Sequence, residues 1–115
     1  MEPVEVNAGA WYLRALRDDD RLSDVPALEL LSIEDAAAYI AGTDSGWADE
    51  TRFVWAVCIP TTGEAVALIG VDGDVLAGIH RDGHADALDA AVGPITRFAV
   101  GALGLTVGEL VLQTP

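Results

Sequence analysis

Apolar and polar positions follow different rhythms along the chain, and the clearest rhythm lies in its middle. FVWAVCI (53–59) and EAVALIGV (64–71) are rich in β-branched and aromatic residues, with Pro60-Thr61-Thr62-Gly63 between them. This spacing predicts an antiparallel hairpin whose glycine takes a positive φ angle. Asp72-Gly73 follows, a pair favoured in two-residue hairpin turns, so DVLAGI (74–79) is expected to return as the third strand of a meander. Upstream, WYLRALR (11–17) mixes aromatic and aliphatic residues with Arg14 and Arg17 and predicts a first strand, closed by the polar run RDDDRLSD.

Helical spacing occupies the intervals. Residues 24–41 predict one helix or a kinked pair, with Asp24 as an N-cap and Pro26 in the first turn. Ser32-Ile33-Glu34-Asp35 resembles a capping arrangement, Ile33, Ala36, Ala37 and Ile40 share a face, and Gly42 is placed to end the helix. GTDSGWADET (42–51) then reads as a loop anchored by Trp47. Residues 85–103 are helix-compatible apart from Gly93-Pro94, where the helix is expected to kink or restart. Ile95, Phe98, Ala99 and Leu103 form its apolar face, Gly104 supplies a stop, and VGELVLQ (107–113) predicts a last strand. The order is strand, helices, three antiparallel strands, helix, strand. It predicts one α+β domain over residues 1–115, with helices packed on a mixed, mainly antiparallel sheet.

Charge narrows the function classes. Nineteen acidic residues stand against six basic ones, all arginine, for a net charge of -13. Phosphate contacts need clustered cations, so nucleic-acid binding is not expected, while a basic protein or amine is a fitting partner. No apolar run is long enough to cross a membrane, and MEPVEVNAG lacks the basic and apolar segments of a secretion signal; a cytoplasmic protein is expected. Cys58 is the only cysteine and lies in the apolar WAVCI, which points to a buried thiol and away from redox or thiolate–zinc chemistry. Trp11, Trp47 and Trp55 fit core packing, with Trp47 the exception because its segment reads as a loop.

Three segments, WYLRALRDDDRLSD (11–24), FVWAVCIPTTGEAVALIGV (53–71) and ITRFAVGALGLTVGELVL (95–112), resemble the GNAT superfamily of N-acetyltransferases, in particular its ribosomal-protein acetyltransferase branch. The resemblance implies a GNAT-like sheet truncated after its fifth strand and an acetyl-CoA site beside the last helix and strand. In that family a glycine loop before the helix turns backbone N–H groups toward the cofactor pyrophosphate. The stretch that corresponds here is HRDGHA, which makes His80, Arg81, Gly83, His84 and Ala85 the cofactor-binding candidates. Asp82 and Asp86 place negative charge beside that position, and a break at Gly93-Pro94 would separate the glycine loop from the helix start. Cofactor binding is therefore expected to be weakened or lost.

Acetyl transfer also needs a base and a proton donor for the leaving thiolate. The family's tyrosine beyond the fifth strand has no counterpart in this sequence. Tyr12 and Tyr39 lie in its early half, and Asp74 fits a turn residue, so no catalytic residue is assigned. Read without a family, His80, Asp82, His84 and Asp86 alternate, and on a regular strand they would line one side as a metal-ligand set. Gly83 argues for a turn, and no metal is expected. These readings converge on an impaired or inactive acetyltransferase-like domain, a pseudoenzyme used for binding or assembly, with a homodimer covering the sheet edge. The alternative is an active N-acetyltransferase acting on a cationic amine or polypeptide N-terminus, its site completed by a partner subunit.

Overall fold

The predicted meander is the centre of the sheet. In the computed structural model, which describes Met1 to Pro115, β3 (Phe53–Cys58), β4 (Ala65–Asp72) and β5 (Val75–His80) pair antiparallel in sequence order. β3 is buried along its whole length and β4 up to Val71, because helices cover both faces. Gly63 takes φ +73° in the first hairpin, as its position predicts. The second turn is shifted by one residue: Asp72 pairs with Val75, so the central pair is Gly73-Asp74 with φ +61° at Gly73. A two-residue turn with glycine first suits the twist of the flanking strands, and β5 starts at Val75 rather than at position 74.

The expected strand at 11–17 is shorter, β2 (Trp11–Arg14), and it is joined through Gly9 to a strand not foreseen from the sequence, β1 (Val6–Ala8). The last strand, β6 (Val111–Leu112), is also shorter than expected and runs parallel to β5. The sheet order is β1-β2-β3-β4-β5-β6. The α+β class and mainly antiparallel sheet are as expected.

One face carries α1 (Val25–Leu30) and α2 (Ala36–Asp49); the other carries α3 (Ala85–Ala102). Ser32 does not cap α2. It sits at φ +61° just past α1, where the Ser32 N–H donates to Glu29 O and the Ile33 N–H to Leu28 O. That is the hydrogen-bond pair of a left-handed helix stop, a position glycine usually fills. The N-cap of α2 is Asp35, whose carboxylate accepts from the Ala38 N–H at 3.4 Å.

Gly42 does not end α2, and residues 42–49 are helix rather than loop. The polar composition misleads because its small residues serve packing. Thr43 Oγ1 donates back to Ile40 O at 2.7 Å, and a Cβ on Gly46 would stand 2.6 Å from Arg52 O. Trp47 is accordingly core, 1% exposed, stacking edge-on against Phe53 and Trp55 while its Nε1–H donates to Val54 O at 3.1 Å.

α3 runs unbroken through Gly93-Pro94. Proline inside a helix removes one hydrogen bond and costs about 3 kcal/mol. The buried row Ala87, Leu88, Ala91, Ile95 and Ala99 against the sheet offsets that cost. Gly104 ends the segment at φ +65°, as predicted.

Candidate functional site

The stretch from the last residue of β5 to the first of α3 holds all five residues that the sequence singles out. His80 is the last residue of β5, and its Nδ1–H donates to Arg81 O at 2.8 Å. The Arg81 N–H reaches Val66 O at 2.9 Å, and its guanidinium pairs with Glu64. Asp82-Gly83 form a turn closed by the His84 N–H to Arg81 O at 3.0 Å, with Gly83 at φ +81°. Glycine is required by that angle rather than by crowding, since nothing lies within 4 Å of its missing Cβ.

His84 is the N-cap of α3 and Ala85 its first residue, so the glycine turn leads directly into the helix. The separation expected from a break at Gly93-Pro94 does not occur. His84 makes no side-chain cap, and the N–H groups of Asp82, Gly83, Ala85 and Asp86 take no backbone acceptor. Unpaired N–H groups at the start of a long helix favour an anion.

The charges around that helix start act the other way. Asp86 stands in the first turn of α3, Asp82 is exposed in the loop, and Arg81 is already bound to Glu64. A cavity of ≈ 370 Å³ lies beside the loop, lined by Leu30, Leu31, Ser32, His80, Arg81 and Asp82. His80, Asp82, His84 and Asp86 do not share a strand, because the turn separates them, and no group of three or more metal-ligating side chains is gathered in the structure.

Candidates for proton transfer are otherwise engaged. The Tyr12 hydroxyl donates to Glu5 Oε1 at 2.9 Å, and burial followed by that carboxylate pushes its pKa up. The Tyr39 hydroxyl donates to the Pro115 oxygen, and burial raises its pKa although Arg52 opposes the shift. Cys58 is fully buried, and burial raises its thiol to about 11. Asp74 stands in the β4–β5 turn, where its carbonyl accepts from the Gly108 N–H at 3.0 Å.

One grouping has no signal in the sequence. Arg52 lies over the Tyr39 ring, 5.3 Å from its centroid, and its Nη2 is 3.5 Å from the same Pro115 oxygen. Gly70 makes room for the terminal residue, since a Cβ there would meet Pro115 Cβ at 2.7 Å. Tyr39, Arg52 and Pro115 come from α2, the position just before β3 and the segment after β6, so only folding brings them together.

Strand order, the parallel β5–β6 pair and the turn into α3 together make a GNAT-like fold. A solved structure described as a "putative ribosomal-protein-serine acetyltransferase" from Vibrio cholerae is similar to it, with TM-score 0.67 over 95% of this chain and 72% of that one. The two sequences are 14% identical, which supports the shared fold alone. No protein-family model matches the chain, and no curated protein matches it by sequence.

Proposed function

We propose that this chain is an acetyltransferase-like domain that does not carry out acetyl transfer and serves as a binding or assembly module. The observation that carries this reading is the charge around the glycine turn. The only cation in the loop, Arg81, is bound to Glu64, and Asp82 and Asp86 flank the N–H groups a pyrophosphate would use. An anionic cofactor therefore meets no free positive side chain in the loop. At about 4 Å each carboxylate–phosphate pair costs about 1 kcal/mol in water and several times that at a protein surface.

The module acts as a homodimer. β6 ends the sheet as a two-residue edge with Val111 45% and Leu112 71% exposed, and pairing with a second copy covers both the apolar side chains and the free backbone groups. The net charge of -13 suits a basic protein or amine as the further partner. Light scattering during gel filtration checks the dimer; a monomer at micromolar concentration would refute it.

The second reading is an active N-acetyltransferase for a cationic amine or polypeptide N-terminus, with its site completed by a partner subunit. It is favoured by the direct passage from Gly83 into α3, with its unpaired N–H groups. Incubation with acetyl-CoA and either a polyamine or a basic peptide with a free N-terminus separates the two. Thiol release no faster than the protein-free blank supports the first reading; turnover establishes the second.

A further inference from the structure

Leu30, the last residue of α1, stands between two cavities. One is the cavity of ≈ 370 Å³ beside His80, Arg81 and Asp82; the other, of ≈ 250 Å³, lies between the start of α1 and the β3–β4 turn. Leu30 lines both, and Glu64 in the second is ion-paired with Arg81 in the first, so the two form one groove. We propose that this groove binds a short basic segment of another protein, with one large apolar side chain set between arginines or lysines.

The smaller cavity supplies the apolar seat. Leu22, Pro26, Ala27 and Ala65 wall it, and Leu30 beside it is 62% exposed, more than any other large apolar side chain except Leu112. Leu112 is on the sheet edge assigned above to a second copy, whereas Leu30 is far from that edge in the fold, on the helix that covers the opposite side of β4 from α3. A single exposed leucine is ordinary; one with a cavity on either side is a seat for an apolar anchor.

The larger cavity supplies acceptors. The Leu30 and Leu31 carbonyls accept from no backbone N–H, and the exposed Asp82 makes no ion pair. Arg81, the one cation lining the groove, is matched by Glu64, and Asp24 is matched by Arg14, which leaves Asp82 without a counter-charge. Exposed Glu29 precedes Leu30, and the connection RDDDRLSD (17–24), whose Leu22 and Ser23 form part of the wall, carries four aspartates to two arginines. An acidic segment meets these carboxylates as like charges, and an uncharged apolar one takes Asp82 out of water with nothing in return; a basic segment with an apolar anchor satisfies both cavities. The groove includes none of Gly83, His84 or Ala85, so it is separate from the N–H groups at the start of α3.

This assignment rests on the reading above that the further partner is basic, and it says where that partner docks. Calorimetric titration with a blocked pentapeptide, one leucine between two pairs of arginines, tests it against the same peptide with serine in place of leucine. The folded protein is expected to bind the leucine peptide saturably with a Kd of about 10–300 μM, a range that suits a short segment. The serine peptide, and the leucine peptide on Leu30→Ser, should bind at least about tenfold more weakly, the loss expected for an unburied aliphatic side chain. Leu30 is exposed, so the far-UV circular dichroism of Leu30→Ser should be unchanged, and Leu112→Ser, the matched change at the sheet edge, should bind as wild type does. Asp82→Asn should weaken binding about threefold, and raising the salt concentration should weaken it in the wild type. Equal binding of the two peptides, or undiminished binding by Leu30→Ser, would overturn the groove while leaving a basic partner in place. No saturable binding of either peptide up to about 1 mM would remove both the groove and the basic partner.

Discussion

Replacing Asp24 by alanine should destabilise this domain more than any other single loss of a surface or loop carboxylate. Asp24 and Arg14 form a two-point ion pair, Nη1 to Oδ2 and Nη2 to Oδ1 both at 2.8 Å, with the side chains only 3% and 6% exposed. Asp24 Oδ2 also accepts the Arg17 N–H at 2.7 Å, and Arg14 donates to Gly63 O at 3.0 Å. Four segments therefore meet at one pair: the end of β2, the strand-to-helix connection, the start of α1 and the β3–β4 turn. Burial, the largest single influence, would lower the Arg14 pKa, but the Asp24 hydrogen bond together with the charge interactions of Cys58, Asp24 and Tyr12 outweighs it and the pKa is raised, so the guanidinium stays charged. Without Asp24 that charge is left buried and unpaired, a loss of about 3–5 kcal/mol. Arg17–Asp19 is the control: its side chains are 42% and 46% exposed, and solvent screens such a pair so that it adds little to stability. In urea, with a slope of about 1–3 kcal/mol per molar, Asp24→Ala should lower the unfolding midpoint by at least about 1 M. The double variant Arg14→Met/Asp24→Leu should recover part of the loss, because it leaves no orphaned charge. If Asp24→Ala costs no more than Asp19→Ala, the reasoning is wrong.

Three further outcomes are expected. Gly78→Ala should destabilise by about 1–3 kcal/mol, since its Cβ would stand 2.6 Å from Leu88 Cδ1 and 2.8 Å from Leu68 O; unchanged thermal unfolding would contradict the close packing of α3 on β5. Cys58, buried with its thiol raised to about 11, should be alkylated by iodoacetamide only as fast as the protein unfolds, and rapid modification of the native chain would count against the core assigned here. Asp19 is held at a pKa of about 2 by Arg17 and then by the Arg21 and Leu22 N–H groups. Its folded pKa is below its ordinary value, so its contribution to stability is full above about pH 4 and is lost as pH falls toward 2. Carboxyl chemical shifts through that window should show it, and an ordinary midpoint would refute the bonding.

The central sheet is legible in the sequence because its signals are local. Runs of β-branched residues fix β3 and β4, and Gly63 and Gly73 mark their turns. What is hidden depends on contacts between distant segments. β1 is three residues, VNA, with no apolar rhythm of its own, and it exists because β2 pairs with it. The latter half of α2 looks like a loop until Arg52 is seen against Gly46 and Trp47 against Trp55. Pro94 breaks helices in isolation but not one held to the sheet by Leu88, Ala91 and Ile95. At the candidate site the glycine turn could be placed from local spacing and the family resemblance. The pairing of Arg81 with Glu64, 17 residues away, and of Tyr39 with Pro115, 76 residues away, could not.

Calorimetric titration with acetyl-CoA tests the account most directly, because it asks whether the glycine turn before α3 holds an anionic cofactor. With Arg81 bound to Glu64 and two aspartates beside the start of α3, no saturable heat is predicted below about 1 mM ligand. Saturable binding at micromolar acetyl-CoA would contradict it and establish the loop as a working cofactor site.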